Sequence, residues 1–322
     1  MTAARPHVPV LLDRVVELLG GAPDGPVADA TIGAAGHAQP VVERRLDRFG
    51  AARLVGIDRD PEALELARHH LEDLAKHPRV RIDLVGARFD RLPDVLDELG
   101  VGPLAGLLVD LGISSMHVDR ADRGFSYRRQ GPLDMRMDPD IEVSAADLVN
   151  QLGRDELARI LRQNADERFA DRIAGAIVAA RPLTTTTELA EVVKHAIPAA
   201  ARRHGGHPAT RTFQALRIAV NAELDALTAL LPAAVDRLAP GGICVVLSYH
   251  SLEDRLVKRA FADAASRCTC PPGFPVCVCG RVPLVEHVVR RPERPDELEI
   301  AANPRAAAAR LRAVRRLPEV TA

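Results

Sequence analysis

Between residues 27 and 110 the chain changes its hydrophobic period repeatedly, and that alternation limits the folds open to it. Val-Ala-Asp-Ala-Thr at 27–31 reads as a short strand running into a glycine turn. A helical stretch over 37–49 follows, then a strand at 53–58. Pro61 suits the first turn of a helix over 61–75, because a proline there loses no needed amide. A third strand at 80–85, a helix near 91–99 and a fourth strand at 104–110 complete the run. Strands spaced by helices of this length make βαβ units, hence a parallel sheet with both faces covered.

After residue 112 the rhythm breaks. Residues 113–139 are polar, glycine-bearing and aperiodic, and long loops of this kind are usually functional. From about 140 to 208 the pattern is helical throughout, with Thr184-Thr185-Thr186-Thr187-Glu188 supplying an N-cap. A long helical segment spans 210–238 and stops at Pro240-Gly241-Gly242. Ile-Cys-Val-Val-Leu-Ser-Tyr at 243–249 is then the clearest strand in the chain. The expectation is a discontinuous α/β domain, 1–139 with 209–322, interrupted by an all-helical subdomain at 140–208.

With 322 residues, one large domain or two ordinary ones fit. At 47% hydrophobic and 27% charged residues, neither disorder nor a fibre fits the composition. Basic residues number 43 and acidic residues 44, and 40 of the basic ones are arginine. A nucleic-acid surface must therefore come from local clustering, since there is no surplus of positive charge. Met1 to Val10 lacks an apolar core behind a basic start, so no signal peptide is expected. No apolar run approaches the roughly 18 residues a membrane span needs. Five cysteines in a chain of this length do not form a disulfide scaffold, so a reducing cytoplasm is expected.

Parallel α/β sheets bind ligands at the carboxyl ends of their strands. The first strand delivers Asp29-Ala-Thr-Ile-Gly33-Ala-Ala35-Gly36-His37, whose glycines allow close main-chain approach beside a helix N-terminus. Asp58 ends the second strand, where a carboxylate can accept hydrogen bonds from a ribose diol. Phe89 follows the third and offers a wall to a flat ring; Asp110 ends the fourth. Such a site suits a nucleoside. Dinucleotide binding calls for Gly-x-Gly-x-x-Gly, and only Gly33 and Gly36 are present. S-adenosylmethionine has no pyrophosphate to cradle, and Asp29 can meet its ammonium, so it is the expected cofactor.

Several peptides, in order, resemble a known family: His7-Val-Pro-Val-Leu-Leu12, Asp110-Leu-Gly-Ile-Ser-Ser115, Arg123-Gly-Phe125, Gly131-Pro-Leu-Asp-Met-Arg-Met-Asp138, the run from His207 to Ile218, His250-Ser-Leu-Glu-Asp-Arg255 and Asn303-Pro-Arg305. Together they resemble the bacterial 16S ribosomal RNA cytosine-N4 methyltransferases across nearly the whole chain. The resemblance implies a Rossmann-like S-adenosylmethionine-dependent methyltransferase with a helical insert, modifying a cytidine in the decoding region of the small ribosomal subunit. It also implies a cofactor site formed by Ala35, Gly36, His37, Asp58, Phe89, Asp110 and His117. Two of these depart from the family pattern: Ala35 replaces a glycine, tolerable if its φ is negative, and His117 replaces a glutamine. A non-catalytic ribosome-assembly factor that retains the fold is the alternative these departures leave open.

The exocyclic amine of cytosine is a poor nucleophile because its lone pair is conjugated into the ring. The Asp/Asn/Ser-Pro-Pro-Tyr/Phe tetrapeptide that many amino methyltransferases use is missing from this sequence. Phe125 and Tyr127 are candidate stacking surfaces, and Asp134, Ser248 and His250 are candidate acceptors for an N–H. Much of the catalysis is expected to be in-line positioning of a cytidine turned out of its stack. Cys268, Cys270, Cys277 and Cys279 form two Cys-x-Cys pairs six residues apart. Structural zinc sites normally space paired ligands by two to four residues, so thiols on a surface loop without metal are expected, with tetrahedral zinc as the alternative. Arg305, Arg310, Arg312, Arg315 and Arg316 offer either a grip on RNA phosphates or a solvated basic helix face.

Overall fold

A computed structural model describes residues 9–113, 120–203, 207–268, 270, 276 and 278–318. His117 and Cys277 lie outside the described residues. The chain forms two compact units, one running to Gly112 and resuming at Asp225, the other Ile113–Leu224.

The first unit is built on a seven-stranded sheet: β1 (Val27–Asp29), β2 (Ala52–Asp58), β3 (Val80–Gly86), β4 (Leu104–Asp110), β5 (Leu238–Ser248), β6 (Val285–His287) and β7 (Arg310–Arg316). Its order is β3-β2-β1-β4-β5-β7-β6. The first five strands are parallel, while β7 pairs antiparallel with both β5 and β6. This is the Rossmann-like arrangement expected of a methyltransferase, and its order reverses between β1 and β4, where such sheets leave a crevice for ligand. β4 is buried along its whole length except Asp110, as a strand covered on both faces must be.

Local chemistry explains the helices between these strands. Helix α1 (Leu12–Gly21) precedes the sheet and α2 (Ala38–Phe49) follows β1, closing at Gly50 in the left-handed conformation. Asp60 caps α3 (Pro61–His70) by accepting from the Glu62 amide at 3.0 Å, with Pro61 in the first turn. The helix expected over 61–75 breaks at Leu71, and a short α4 (Glu72–Ala75) follows. Arg45, 1% exposed, donates to the carbonyls of Leu19, Pro23 and Gly25 at 2.7–2.9 Å, so one buried guanidinium satisfies the chain between α1 and β1.

Two sequence expectations are corrected here. The segment 310–316 is not a helix face. It is β7, where Arg310 and Arg312 converge on Asp254 at 2.7 Å each and Arg315 meets Glu286 at 3.0 Å. The expected helix over 210–238 divides at Ala222, whose φ is 50°, into Thr210–Asn221 and Glu223–Asp236. β5 then begins at Leu238, five residues before the expected strand.

The second unit is helical, with helices Ala145–Gln151, Arg154–Ala165, Ala170–Ala179, Thr186–Ala196 and Thr210–Asn221. Ser144 with Asp147 and Thr185 with Glu188 form capping boxes, the latter within the threonine run. This unit extends beyond 140–208 because Phe125, Leu133, Met135 and Met137 share one core with Leu157, Ile173, Leu189, Phe213 and Leu216. Asn221 holds the 131–138 segment in place, accepting from the Met137 amide at 2.9 Å and donating to the Met135 carbonyl at 2.8 Å. No single helix among the described residues is long and apolar enough to cross a membrane.

Gly56 makes room for the loop after β1. A Cβ there would lie 2.2 Å from Ile32 Cδ1 and 2.7 Å from Leu84 Cδ2, while the Ile32 amide is anchored to the Ile57 carbonyl at 2.9 Å. Gly56→Ala is expected to cost about 1–3 kcal/mol through overpacking. Adding Ile32→Val should restore part of that loss in urea denaturation, since shortening the clashing side chain relieves the contact. Simple additivity of the two changes would refute this packing account.

Candidate functional site

Register sets the floor of the site. Asp29 pairs with Gly56 on one side and Leu108 on the other, so β2 and β4 each run two residues further, to Asp58 and Asp110. Three carboxyl groups thus end three adjacent strands, with the central one recessed. Asp29 is 3% exposed and accepts from the Thr31 amide at 3.1 Å. Burial, with smaller contributions from the Asp110 and Asp58 charges, pushes its carboxyl up to about 8. Asp58 accepts from the Gly33 amide at 2.9 Å through one oxygen and from the Asp60 amide at 2.9 Å through the other.

On the other side, the Asp110 amide donates to Thr31 Oγ1 at 2.7 Å, and Asp110 Oδ1 accepts from the Tyr249 hydroxyl at 2.9 Å. Burial first, and then Asp110, raises the Tyr249 phenol, which stays protonated and a donor. His37, 6% exposed, places Nε2 2.9 Å from the Val10 carbonyl and Nδ1 3.5 Å from Asp110 Oδ2. A carbonyl can only accept, so Nε2 carries a hydrogen and the ring is pinned between two partners.

The loop from Thr31 to His37 therefore rests on side chains of the neighbouring strands. Gly33 is left-handed, at φ 52°, and so is Ala35, at φ 63°. This corrects the condition set for Ala35: its φ is positive, the conformation in which the family's glycine is free of strain and an alanine is not. Ala35 is held there by a buried environment and by its amide bond to the Ile32 carbonyl at 2.8 Å. At Gly36 a Cβ would meet Pro9 Cγ at 2.6 Å, so glycine there lets the N-terminal segment pack against the loop. Phe89 opens a 3-10 turn at Phe89–Arg91, partly buried after β3, and the Ala87 amide ties that crossing to the Asp58 carbonyl at 3.0 Å.

The candidates for chemistry on the base are placed differently. Asp134 belongs to the helical unit and forms a two-pronged pair with Arg136, both bonds 2.8 Å; the guanidinium holds its carboxyl below the usual range, which weakens it as a base. Phe125 is buried in that unit's core, so it offers no stacking face; the expectation of a stacking role is corrected by its 7% exposure. Tyr127 stacks on His207 at 4.4 Å and accepts from Thr210 Oγ1 at 3.2 Å. In the sheet unit, Ser248 is 1% exposed with its hydroxyl 3.4 Å from the Arg310 carbonyl. His250 caps the helix Ser251–Ala264: Nδ1 faces the Glu253 amide at 3.4 Å, and Nε2 lies 3.0 Å from Glu253 Oε1. Nδ1 is thus engaged in shaping a helix start, while Nε2 is buried and, despite its closeness to Glu253, makes no hydrogen bond.

Tyr249 is the site residue sequence reasoning passed over. Its signal was its position, one residue past the end of β5 and two beyond Leu247, the register partner of Asp110 on the adjacent strand.

A family model described as the MraW methylase family matches residues 4–317. The chain belongs to this family. Similar relatives include Ribosomal RNA small subunit methyltransferase H of Heliobacterium mobile, 48% identical over 315 residues that cover 97% of this chain and 99% of that protein. The protein of the same name from Acidothermus cellulolyticus is 53% identical, covering 97% and 94%. That from Mycolicibacterium smegmatis is 52% identical, covering 97% and 84%. The chain is therefore a methyltransferase, and S-adenosylmethionine is its cofactor.

The recessed carboxyl makes stability depend on pH. Unfolded, Asp29 loses its proton near 3.8; folded, it keeps it to about 8. Between these values the native state binds more protons, so stability falls as pH rises from about 4 to about 8. Asp29→Asn keeps an acceptor for the Thr31 amide and removes the titration. Denaturation of the cofactor-free protein at pH 5 and pH 8 should show the variant gaining more at pH 8, with a flatter profile. An unchanged profile would mean that Asp29 is ionised in the native state.

Proposed function

We propose that this protein transfers a methyl group to N4 of a cytidine in the decoding region of 16S ribosomal RNA. The observation that carries the reading is the notch of Asp29, Asp58 and Asp110 at the strand ends, in a chain of the MraW family whose relatives bear a ribosomal RNA methyltransferase name.

The residues present fit S-adenosylmethionine. Asp58 ends β2 as the carboxylate for a ribose diol, Phe89 follows the neighbouring β3 for an adenine face, and Asp110 stands on the far side of β1. In the proposed arrangement the main chain at Ala35, Gly36 and His37 borders the amino-acid end of the cofactor, and Asp29 meets its ammonium. His117 belongs to the proposed set and lies outside the described residues.

The cofactor supplies a methyl group on a positively charged sulfur, which makes transfer favourable. What remains for the chain is placement. His37 and Tyr249 hold Asp110, and the Gly33 and Asp60 amides hold Asp58, so the carboxylates are set before anything binds. Asp134, kept ionised by Arg136 and so a weak base, is one proposed acceptor for an amine hydrogen, and His250, whose Nδ1 caps a helix, is the alternative. Positioning, worth effective molarities of roughly 10⁵–10⁸ M in well-oriented systems, is the larger contribution.

Incubating the purified protein with methyl-labelled cofactor and small ribosomal subunits that lack the modification tests the reading. Nuclease digestion and mass spectrometry should find the label as N4-methylcytidine in a decoding-region fragment. Cofactor binding without label in RNA would leave a non-catalytic assembly factor instead. Asp58→Ala removes hydrogen bonds to a charged acceptor, each worth about 1.5–3 kcal/mol. Calorimetric affinity for the cofactor should fall roughly 10- to 100-fold, and an unchanged affinity would remove Asp58 from the site.

A further inference from the structure

The loop that leaves the helix Ser251–Ala264 and returns to β6 brings three cysteines together. The sulfurs of Cys268, Cys270 and Cys279 all lie within 4.8 Å of one another, and Cys279 Sγ is 3.9 Å from Cys268 Sγ. Neither packing nor a disulfide accounts for this. A disulfide needs its sulfurs about 2.05 Å apart, and side chains this close to solvent gain little from mutual burial. Tetrahedral zinc does require such spacing: at a Zn–S distance of about 2.3 Å, neighbouring sulfurs sit about 3.8 Å apart.

The surroundings agree. The Cys270 amide lies 3.3 Å from Cys268 Sγ, and an N–H aimed at a sulfur favours the thiolate, the form a metal takes. Ser266 Oγ donates to the Cys268 carbonyl at 2.7 Å and fixes the first ligand's backbone. The base of the loop is closed independently: Arg281 donates to the Asp263 carbonyl at 2.7 Å and to its carboxylate at 2.8 Å, and the Leu284 amide bonds the Ala264 carbonyl at 2.8 Å. The ligands are thus brought near each other by the fold before any ion arrives.

We propose that Cys268, Cys270 and Cys279 hold a structural zinc ion, which staples this loop between the helix Ser251–Ala264 and β6. The metal takes three thiolates, and the displaced thiol protons pass to solvent, so affinity falls as pH is lowered. Soft sulfur donors select zinc over magnesium or calcium. The chemistry is separate from the strand-end site and independent of which RNA is methylated.

The test uses the full-length protein, reduced, stripped with chelator and reloaded with zinc. Mass spectrometric metal analysis should find about one zinc per chain, and cobalt in its place should give thiolate-to-metal charge-transfer absorption. Cys268→Ser combined with Cys279→Ser should lower occupancy at least tenfold, whereas Cys244→Ala, in the sheet core, should retain the ion. The wild-type measurements need no variant, so a variant that fails to fold does not shield the proposal. A folded, reduced wild-type chain that takes up no zinc would overturn it. So would zinc retained by the double variant, or cobalt bound without sulfur-derived absorption.

Discussion

Like charges do not gather without compensation, and the sheet unit is organised around that constraint. Asp29, Asp58 and Asp110 end adjacent strands, and the register that recesses Asp29 by two residues leaves it enclosed while the other two stay partly open. The outer carboxylates are offset by specific donors: two loop amides for Asp58 and a phenol for Asp110, beside which the His37 ring packs. For Asp29 there is one amide and little else within the described residues, so its proton supplies the balance. Two held carboxyls flanking a protonated one are the feature on which the proposed cofactor site rests.

Holding those groups explains why the loop after β1 looks as it does. Glycines at 33, 36 and 56 each answer a different need: a left-handed turn, the approach of Pro9, and clearance for Ile32. Ala35 is the exception, an L-residue in the left-handed region at a cost of roughly 1–2 kcal/mol. It persists because its methyl is buried and the preceding Ile32 and Gly33 amides are committed to β2, which over-determines the backbone there.

Much of this was legible in the sequence for a physical reason. Buried parallel strands read as apolar runs, and their last polar residue marks the strand end, so the positions of Asp58 and Asp110 at the ends of β2 and β4 could be located by counting. The same logic put Pro61 and the threonine run at helix starts. The sign of φ at Ala35 was not legible, because it depends on how the loop is clamped from both sides. Nor was the extent of the helical unit. Phe125, Leu133, Met135 and Met137 sit in an aperiodic stretch that reads as loop, and only Asn221, more than eighty residues on, makes it part of a core. The thiol cluster is a third case: tight Cys-x-Cys spacing argues against zinc by pattern, yet the fold of the loop brings the sulfurs to metal-like separations.

Arginine-rich composition invites a reading in terms of RNA, and the structure redirects it. Arg310 and Arg312 neutralise Asp254, whose carboxyl is held low by both guanidinia despite the desolvation that would raise it. Arg217 is buried against Glu223, Arg136 is forked onto Asp134, Arg88 onto Asp90, and Arg237 onto Asp97. Among the described residues many acidic and basic side chains are thus matched pair by pair, across strands and within turns. Guanidinia already forked onto carboxylates have little left for phosphate. An RNA-binding surface on such a chain is defined by geometry, by which cations face outward together; in the basic run near the carboxyl terminus Arg310 and Arg312 are committed to Asp254, while Arg305 is exposed in a 3-10 turn before the sheet.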